Sequence, residues 1–218
     1  MAGRRPLTKY EERALLRVVR KLHPRDRALV TAQWFTGFRI SEILSLTIGD
    51  VFRNGQIRTK IGIAPRRLKG GYGRTRYVPV LPELQRALQS HIHRMGLKFL
   101  LTSAMPLFLS VRTRNGELQA MTRSGAQRLL KRVMGQAGVE DDGRLGTHSL
   151  RKTFARAVYR NSGNDIMVLR SALGHSSVSI SERYLEVDAD EVEAAMRSVD
   201  FTRGGRRPVS LRPVRLAA

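Results

Sequence analysis

Apolar positions along this chain recur mostly at helical spacing, with one clear interruption. In "LTKYEERALLRVVRKL", Leu15, Val18, Val19 and Leu22 form a stripe on one side of a helix. Thr8 followed by Glu11 has the spacing of a capping box at its start. Pro24 breaks this helix, and residues 25–35 read as a second, more buried one that Gly37 ends. "RISEILSL" opens a third, short helix with Ile40, Ile43 and Leu44 facing inward. The pattern then changes. β-Branched residues cluster at Ile57, Thr59, Ile61 and Ile63, and again from Thr75 to Val80, with Gly70, Gly71 and Gly73 between them. This predicts a small antiparallel sheet with its turn near residues 69–74. Helical spacing returns over 82–95, from Thr122 to Gln136, and over 148–159, 165–173 and 190–198.

The expected fold class is therefore mainly α with a small antiparallel β-sheet (α+β). Residues 1–200 read as one domain, with no linker dividing it and no internal repeat. The tail "RGGRRPVSLRPVRLAA" has a Gly pair, two prolines and many arginines and reads as a flexible extension over 201–218.

Charge narrows the function. The 218 residues carry 40 Lys and Arg against 18 Asp and Glu, a net charge of +22. So large an excess repels itself in a compact chain and calls for a polyanionic partner, nucleic acid before an anionic membrane. The cations are spread along the sequence, which favours a long electrostatic footprint. The chain has no cysteine, so disulfides, thiolate catalysis and cysteine zinc sites are excluded. The start lacks the apolar core of a signal peptide, and no apolar run approaches the length of a membrane span. A soluble, cytoplasmic, nucleoid-associated protein with no membrane partner is expected.

Four fragments carry candidate chemistry. His148 and Arg151, at i and i+3, share a helix face, with Thr147 as N-cap just ahead. An imidazole, a guanidinium and unpaired N–H groups at a helix N-terminus make an anion site. In "GFRISEIL", Arg39 starts a helix and Glu42 lies one turn on, either a helical ion pair or an arginine oriented for phosphate. In "LGHSSVSISERYLEV", His175 follows a glycine and Tyr184 lies nine residues later. Lys69 stands beside the Gly-rich turn. Each fragment also reads as ordinary structure: a core histidine, a surface pair, a turn, a stray cation.

Together they resemble the tyrosine recombinases, the phage integrase family. That family has an Arg in a Gly-x-Arg-x-Ser-Glu context, a hairpin Lys, a His-x-x-Arg pair, a His in a Leu-Gly-His turn and a Tyr about nine residues beyond. This chain has all of them in order from Arg39 to Tyr184, over roughly residues 7–198. The chain looks like the short, single-domain members, such as the fimbrial phase-variation recombinases, with no separate N-terminal DNA-clamping domain, or like a fragment of a longer protein.

The resemblance implies site-specific DNA strand cleavage and rejoining through a 3′-phosphotyrosine link, with neither metal nor ATP as cofactor. Tyr184 is the implied nucleophile. Arg39 and Arg151 stabilise the charge developing on the phosphate, and His175 is a further donor. His148 takes or shares the phenolic proton. Lys69 protonates the leaving 5′-oxygen, with Lys60 as the alternative, and Glu42 orients. Arg66, Arg67, Arg74, Arg76 and Lys152 are expected DNA contacts, and Arg203, Arg206, Arg207, Arg212 and Arg215 of the tail add phosphate contacts. The expected partners are double-stranded DNA at specific recombination sites and other copies of the chain: a homotetramer on paired sites, a monomer or weak dimer when free. A type IB topoisomerase and a catalytically inactive DNA-binding protein are the competing readings. His91 and His93 fall on different helix faces and make a poor metal pair.

Overall fold

The structure is a computed structural model that describes residues 4–67, 75–110, 118–175, 177–179 and 196–197. The chain divides into two units, Met1–Leu185 and Glu186–Ala218, and every element below belongs to the first. Helix α1 spans Lys9–Val19. Thr8 Oγ1 accepts from Glu11 N at 3.2 Å, and Thr8 N donates to Glu11 Oε2 at 2.7 Å, so the capping box forms. Leu15 and Val19 are buried, and Val18 and Leu22 pack at the core's edge.

Helix α2, Pro24–Thr36, begins with Pro24 in its first turn. Ala28 to Trp34 are buried without interruption, so apolar and polar residues alike are enclosed and no single stripe appears. It is the central helix, packed on α1, on α3 (Ile40–Leu44), on α5 (Pro82–Gly96) and on α7 (Thr147–Asn161). Gly37 ends it in the left-handed region at φ 60°. A Cβ there would lie 2.2 Å from the Phe154 ring, so glycine is required twice over.

The interruption in helical pattern becomes two antiparallel hairpins rather than one sheet. β1 (Phe52–Arg53) pairs with β2 (Gln56–Ile57) after the one-turn helix α4 (Ile48–Val51). Asn54 and Gly55, both at positive φ, make its turn. β3 (Lys60–Ile63) pairs with β4 (Arg76–Pro79) in the register Ile61↔Val78, Gly62↔Tyr77, Ile63↔Arg76. Ile61, Ile63, Arg76 and Val78 face inward, whereas Lys60 and Tyr77 face outward.

Helix α6 (Arg123–Gln136) closes the core, and α8 (Ile166–Leu173) packs on α7 through Ala155, Leu169 and Leu173. Asp165 caps α8, accepting from Met167 N at 2.7 Å and Val168 N at 3.2 Å. The N-cap of α7 is Gly146, with Thr147 already its first helical residue, a shift of one from the expected cap. Of the helix expected over 190–198, only 196–197 are described, and they are helical. The tail over 201–218 lies outside the described residues. No described helix is long and apolar enough to cross a membrane.

Candidate active site

Three chain segments meet at one buried carboxylate. Glu42, on the first turn of α3, is 1% exposed. Its Oε1 accepts from Arg39 Nη1 at 2.8 Å, and its Oε2 accepts from the Arg39 backbone N–H at 2.8 Å. Arg76, reaching inward from β4, donates from Nη2 to the same Oε2 at 3.2 Å. Arg151 Nη1, from α7, stands 4.0 Å from it.

The second anchor is the C-terminus of α8. Carbonyl groups in a last helical turn have no partner within the helix. Here Leu173 O accepts from Arg151 Nη2 at 3.1 Å and also from Arg76 Nη1. Gly174 then turns the chain at φ 64°, and a Cβ on it would meet Arg76 Cδ at 2.8 Å. That tight turn sets His175, whose Nε2 lies 3.0 Å from Arg151 Nη2. A guanidinium can only donate, so this imidazole nitrogen accepts. Arg151 Nη1 also donates to Gly37 O, so the left-handed end of α2 supplies a carbonyl to the cluster. The Arg76 guanidinium lies over the Phe38 ring, 4.3 Å from its centroid.

Three guanidinium groups thus share one carboxylate. The surplus positive charge is enclosed, and it registers on its members. Arg76 is pushed down to about 10, by burial first and then by the charges of Arg151 and Arg39, while Glu42 works the other way. His148 is lowered by partial desolvation and then by the charges of Arg151, Arg39, Arg4 and Lys152. Near neutral pH its ring is therefore a proton acceptor.

Access is uneven. Arg151 is 0% exposed, and His175 and Arg76 are buried. Arg39 keeps 26% of its side chain open, and His148 is exposed. The Arg39 Nε and Nη2 have no partner among the described residues. The cluster therefore presents one guanidinium edge and one imidazole to solvent, backed by two enclosed cations. Such an arrangement suits a phosphate diester, whose charged oxygens need preorganised donors.

Of the residues expected from the sequence, Arg39, Glu42, Arg151 and His175 are joined by direct bonds or close approach, and His148 stands within their field. Lys69, Arg74 and Tyr184 lie outside the described residues, as does the side chain of Arg66. Two of the expected DNA contacts are buried. Arg76 is not on the surface: strand alternation turns it inward with Val78, and it belongs to the cluster. Lys152 is buried, because α7 packs between α2, α6 and α8 and encloses Ser149 through Thr153. Arg67 pairs with Asp50 at 2.5 Å on the other side of β3–β4. Lys60, on the exposed face of β3, stands on the side opposite Arg76. Arg76 is expected from the sequence as a DNA contact, and its place in the Glu42 cluster is not. The period-2 parity of "RYVP" was the signal that could have found it.

The sequence and the fold also match known proteins. The sequence model of the Phage integrase family matches residues 5–191. Tyrosine recombinase XerD of Corynebacterium glutamicum is 31% identical over 173 residues, which cover 79% of this chain and 52% of that protein. Among solved structures, XerA recombinase matches with a TM-score of 0.72 at 25% identity, over 91% of this chain and 66% of that one. XerH site-specific recombinase, solved bound to difH substrate in a pre-cleavage complex, matches with a TM-score of 0.64 at 26% identity, over 88% of this chain and 54% of that one. The chain thus spans about half the length of the XerD relative.

Proposed function

We propose, on the premise that this chain belongs to the phage integrase family, that it is a site-specific recombinase that cuts and rejoins DNA strands. Tyr184 attacks a backbone phosphorus. The new bond joins its phenolic oxygen to phosphorus, the bond to the 5′-oxygen breaks, and a 3′-phosphotyrosine and a free 5′-hydroxyl result. His148, which its lowered proton affinity keeps unprotonated near neutral pH, takes the phenolic proton. Lys69 gives a proton to the leaving 5′-oxygen. A 5′-hydroxyl from another strand reverses the step, and the bond energy stored in the ester makes rejoining near-neutral energetically.

The observation that carries this reading is the Arg39–Glu42–Arg151–His175 constellation, enclosed except at Arg39. A phosphate entering at Arg39 meets a preformed guanidinium held by a carboxylate, with the Arg151 charge behind it. Positive groups fixed in advance lower the barrier because they need not reorganise as charge develops. Losing one such donor costs about 10² to 10³ in rate. DNA at specific sites is the proposed substrate, with a homotetramer on paired sites as the working assembly, a monomer or weak dimer in the free state, and the cytoplasmic chromosome as the place of action. The solved XerH complex with its difH substrate supports the choice of DNA.

The test is adduct formation on nicked duplex sites. The native protein is expected to form a covalent protein–DNA species resistant to denaturant, and Tyr184→Phe is expected to form none. An equal adduct yield from Tyr184→Phe, or none from the native chain on any site, would overturn the assignment.

A further inference from the structure

The outward side of the β3–β4 hairpin carries a feature that the cluster around Glu42 does not use. Register places Gly62 opposite Tyr77. A Cβ at position 62 would come within 2.6 Å of Tyr77 Cε1. Only glycine therefore lets the phenol ring lie down across the neighbouring strand. Tyr77 is nonetheless 65% exposed. One side of the ring rests on the strand and the other meets solvent.

Cations rim this ring. Arg58, Lys60, Arg67 and Tyr77 line a cavity of about 230 Å³ floored by Gly49, Gly62 and Ala64. A second, adjoining hollow is lined by Arg58, Thr59, Lys60 and Tyr77. Arg67 is already matched to Asp50, the one carboxylate among the described residues of the cavity wall. Arg58 Nε donates to Gly49 O at 3.1 Å, which fixes the side chain while its Nη groups keep no partner among the described residues. Lys60 is exposed and likewise has no partner among them. Two positive charges therefore remain uncompensated beside an open aromatic face.

We propose that Tyr77, Arg58 and Lys60 form a platform for an unpaired nucleotide of the DNA strand, with the base stacked on Tyr77 and its flanking phosphates held by Arg58 and Lys60. The proposal rests on the reading that the chain acts on DNA. A bare phosphate has no use for the ring, and bases within a duplex have both faces covered by their neighbours. An unpaired base has a free face, and every base can stack. Cleavage and strand exchange create such unpaired stretches. The platform lies on the opposite side of the hairpin from Arg76, so it holds strand away from the reacting phosphate rather than taking part in the chemistry.

The test compares binding of a dT oligonucleotide and of a matched duplex to the full chain, by fluorescence anisotropy. Tyr77→Ala is expected to weaken single-strand binding about 5- to 150-fold and to leave duplex binding nearly unchanged. Tyr77→Phe is expected to retain it. Arg58→Ala and Lys60→Ala are each expected to lower the salt slope for single-strand binding by about 0.7. A strand carrying 5-iododeoxyuridine is expected to photocrosslink to Tyr77. Equal loss for both DNA forms in Tyr77→Ala, no loss for either, or a crosslink mapping elsewhere overturns the platform. Adduct formation at Tyr184 is measured on the same Tyr77→Ala protein. If native chain and variant both form adduct while single-strand affinity is unaltered, the platform alone is wrong. If the native chain forms none, the functional reading has failed independently.

Discussion

Replacing Glu42 by Gln tests the electrostatic design of the site, because the side chain keeps its shape and loses its charge. Glu42 accepts from Arg39 at 2.8 Å and Arg76 at 3.2 Å, with Arg151 at 4.0 Å. Whichever way the amide turns, its NH2 faces a guanidinium donor. Removing one partner from a buried ion pair costs about 3–5 kcal/mol, since the remaining charge stays enclosed. In a domain of this size each kcal/mol lowers Tm by about 2–4 °C, so a drop of about 6–20 °C is expected. Arg76→Met should cost much less. The fall of Arg76 to about 10 means that enclosing it as a cation already costs about 3 kcal/mol, and methionine removes that penalty. That figure already includes the attraction to Glu42, and both acceptors keep another guanidinium, Arg39 for Glu42 and Arg151 for Leu173 O. Thermal and urea unfolding of the two single variants and the double variant complete the cycle. The double variant should be more stable than additivity predicts, by about 0.5–3 kcal/mol. If Glu42→Gln lies within about 0.5 kcal/mol of the parent, or the two changes simply add, the carboxylate is not the counter-charge of the cluster.

Further expectations follow from the same geometry. Gly37→Ala combines a left-handed φ with a 2.2 Å approach to Phe154. It should destabilise by more than about 2 kcal/mol in urea unfolding and reduce adduct yield, because Gly37 O anchors Arg151. For His148, the folded-state proton affinity is lowered. Its penalty is absent above the unfolded value near 6.5 and grows as pH falls below it, so His148→Gln should flatten the acid side of the stability curve. The acid limb of the adduct-formation rate should likewise fall below about pH 6.5, and a limb above that value would contradict a neutral His148 as proton acceptor. Arg5→Ala breaks bonds to Glu11 and Asp142 at 2.8 Å each. Both carboxyls are held below their usual range, Glu11 chiefly by Arg5 and Asp142 chiefly by the Arg144 backbone with Arg5 next. Their contribution is present at neutral pH and lost as the carboxyls protonate, so acid unfolding of Arg5→Ala should start from a lower plateau and show a shallower decline.

Local signals in the sequence translated well into structure, and pairings between distant segments did not. The Thr8–Glu11 box, the end of α2 at Gly37 and the α8 start at Asp165 are set by neighbours within a turn, and all formed. The β1–β2 hairpin was equally local, announced by Asn54–Gly55, and was merged into one sheet because Ile57 continues the β-branched run. Glu42 was legible as the partner of Arg39 three residues away. Its role as the hub for Arg76 depends on a strand 34 residues further on and on which face of that strand the guanidinium takes. Arg151 was legible as an anion-binding cation next to His148. That it is wholly enclosed, bonded to Gly37 O and Leu173 O, follows from how α7 packs between its neighbours, which a single helix pattern does not encode. The burial of Lys152 follows from the same packing.

The most direct test of the account is to identify the residue that carries DNA phosphate in the covalent species. The trapped adduct is digested with protease and nuclease, and the modified peptide is sequenced by mass spectrometry. A nucleotide phosphate is expected on the Tyr184 oxygen, with the rate of adduct formation falling about 10²- to 10³-fold when Arg39 is changed to Ala. A modified peptide that lacks Tyr184, or an Arg39→Ala protein that forms adduct at the native rate, would contradict it.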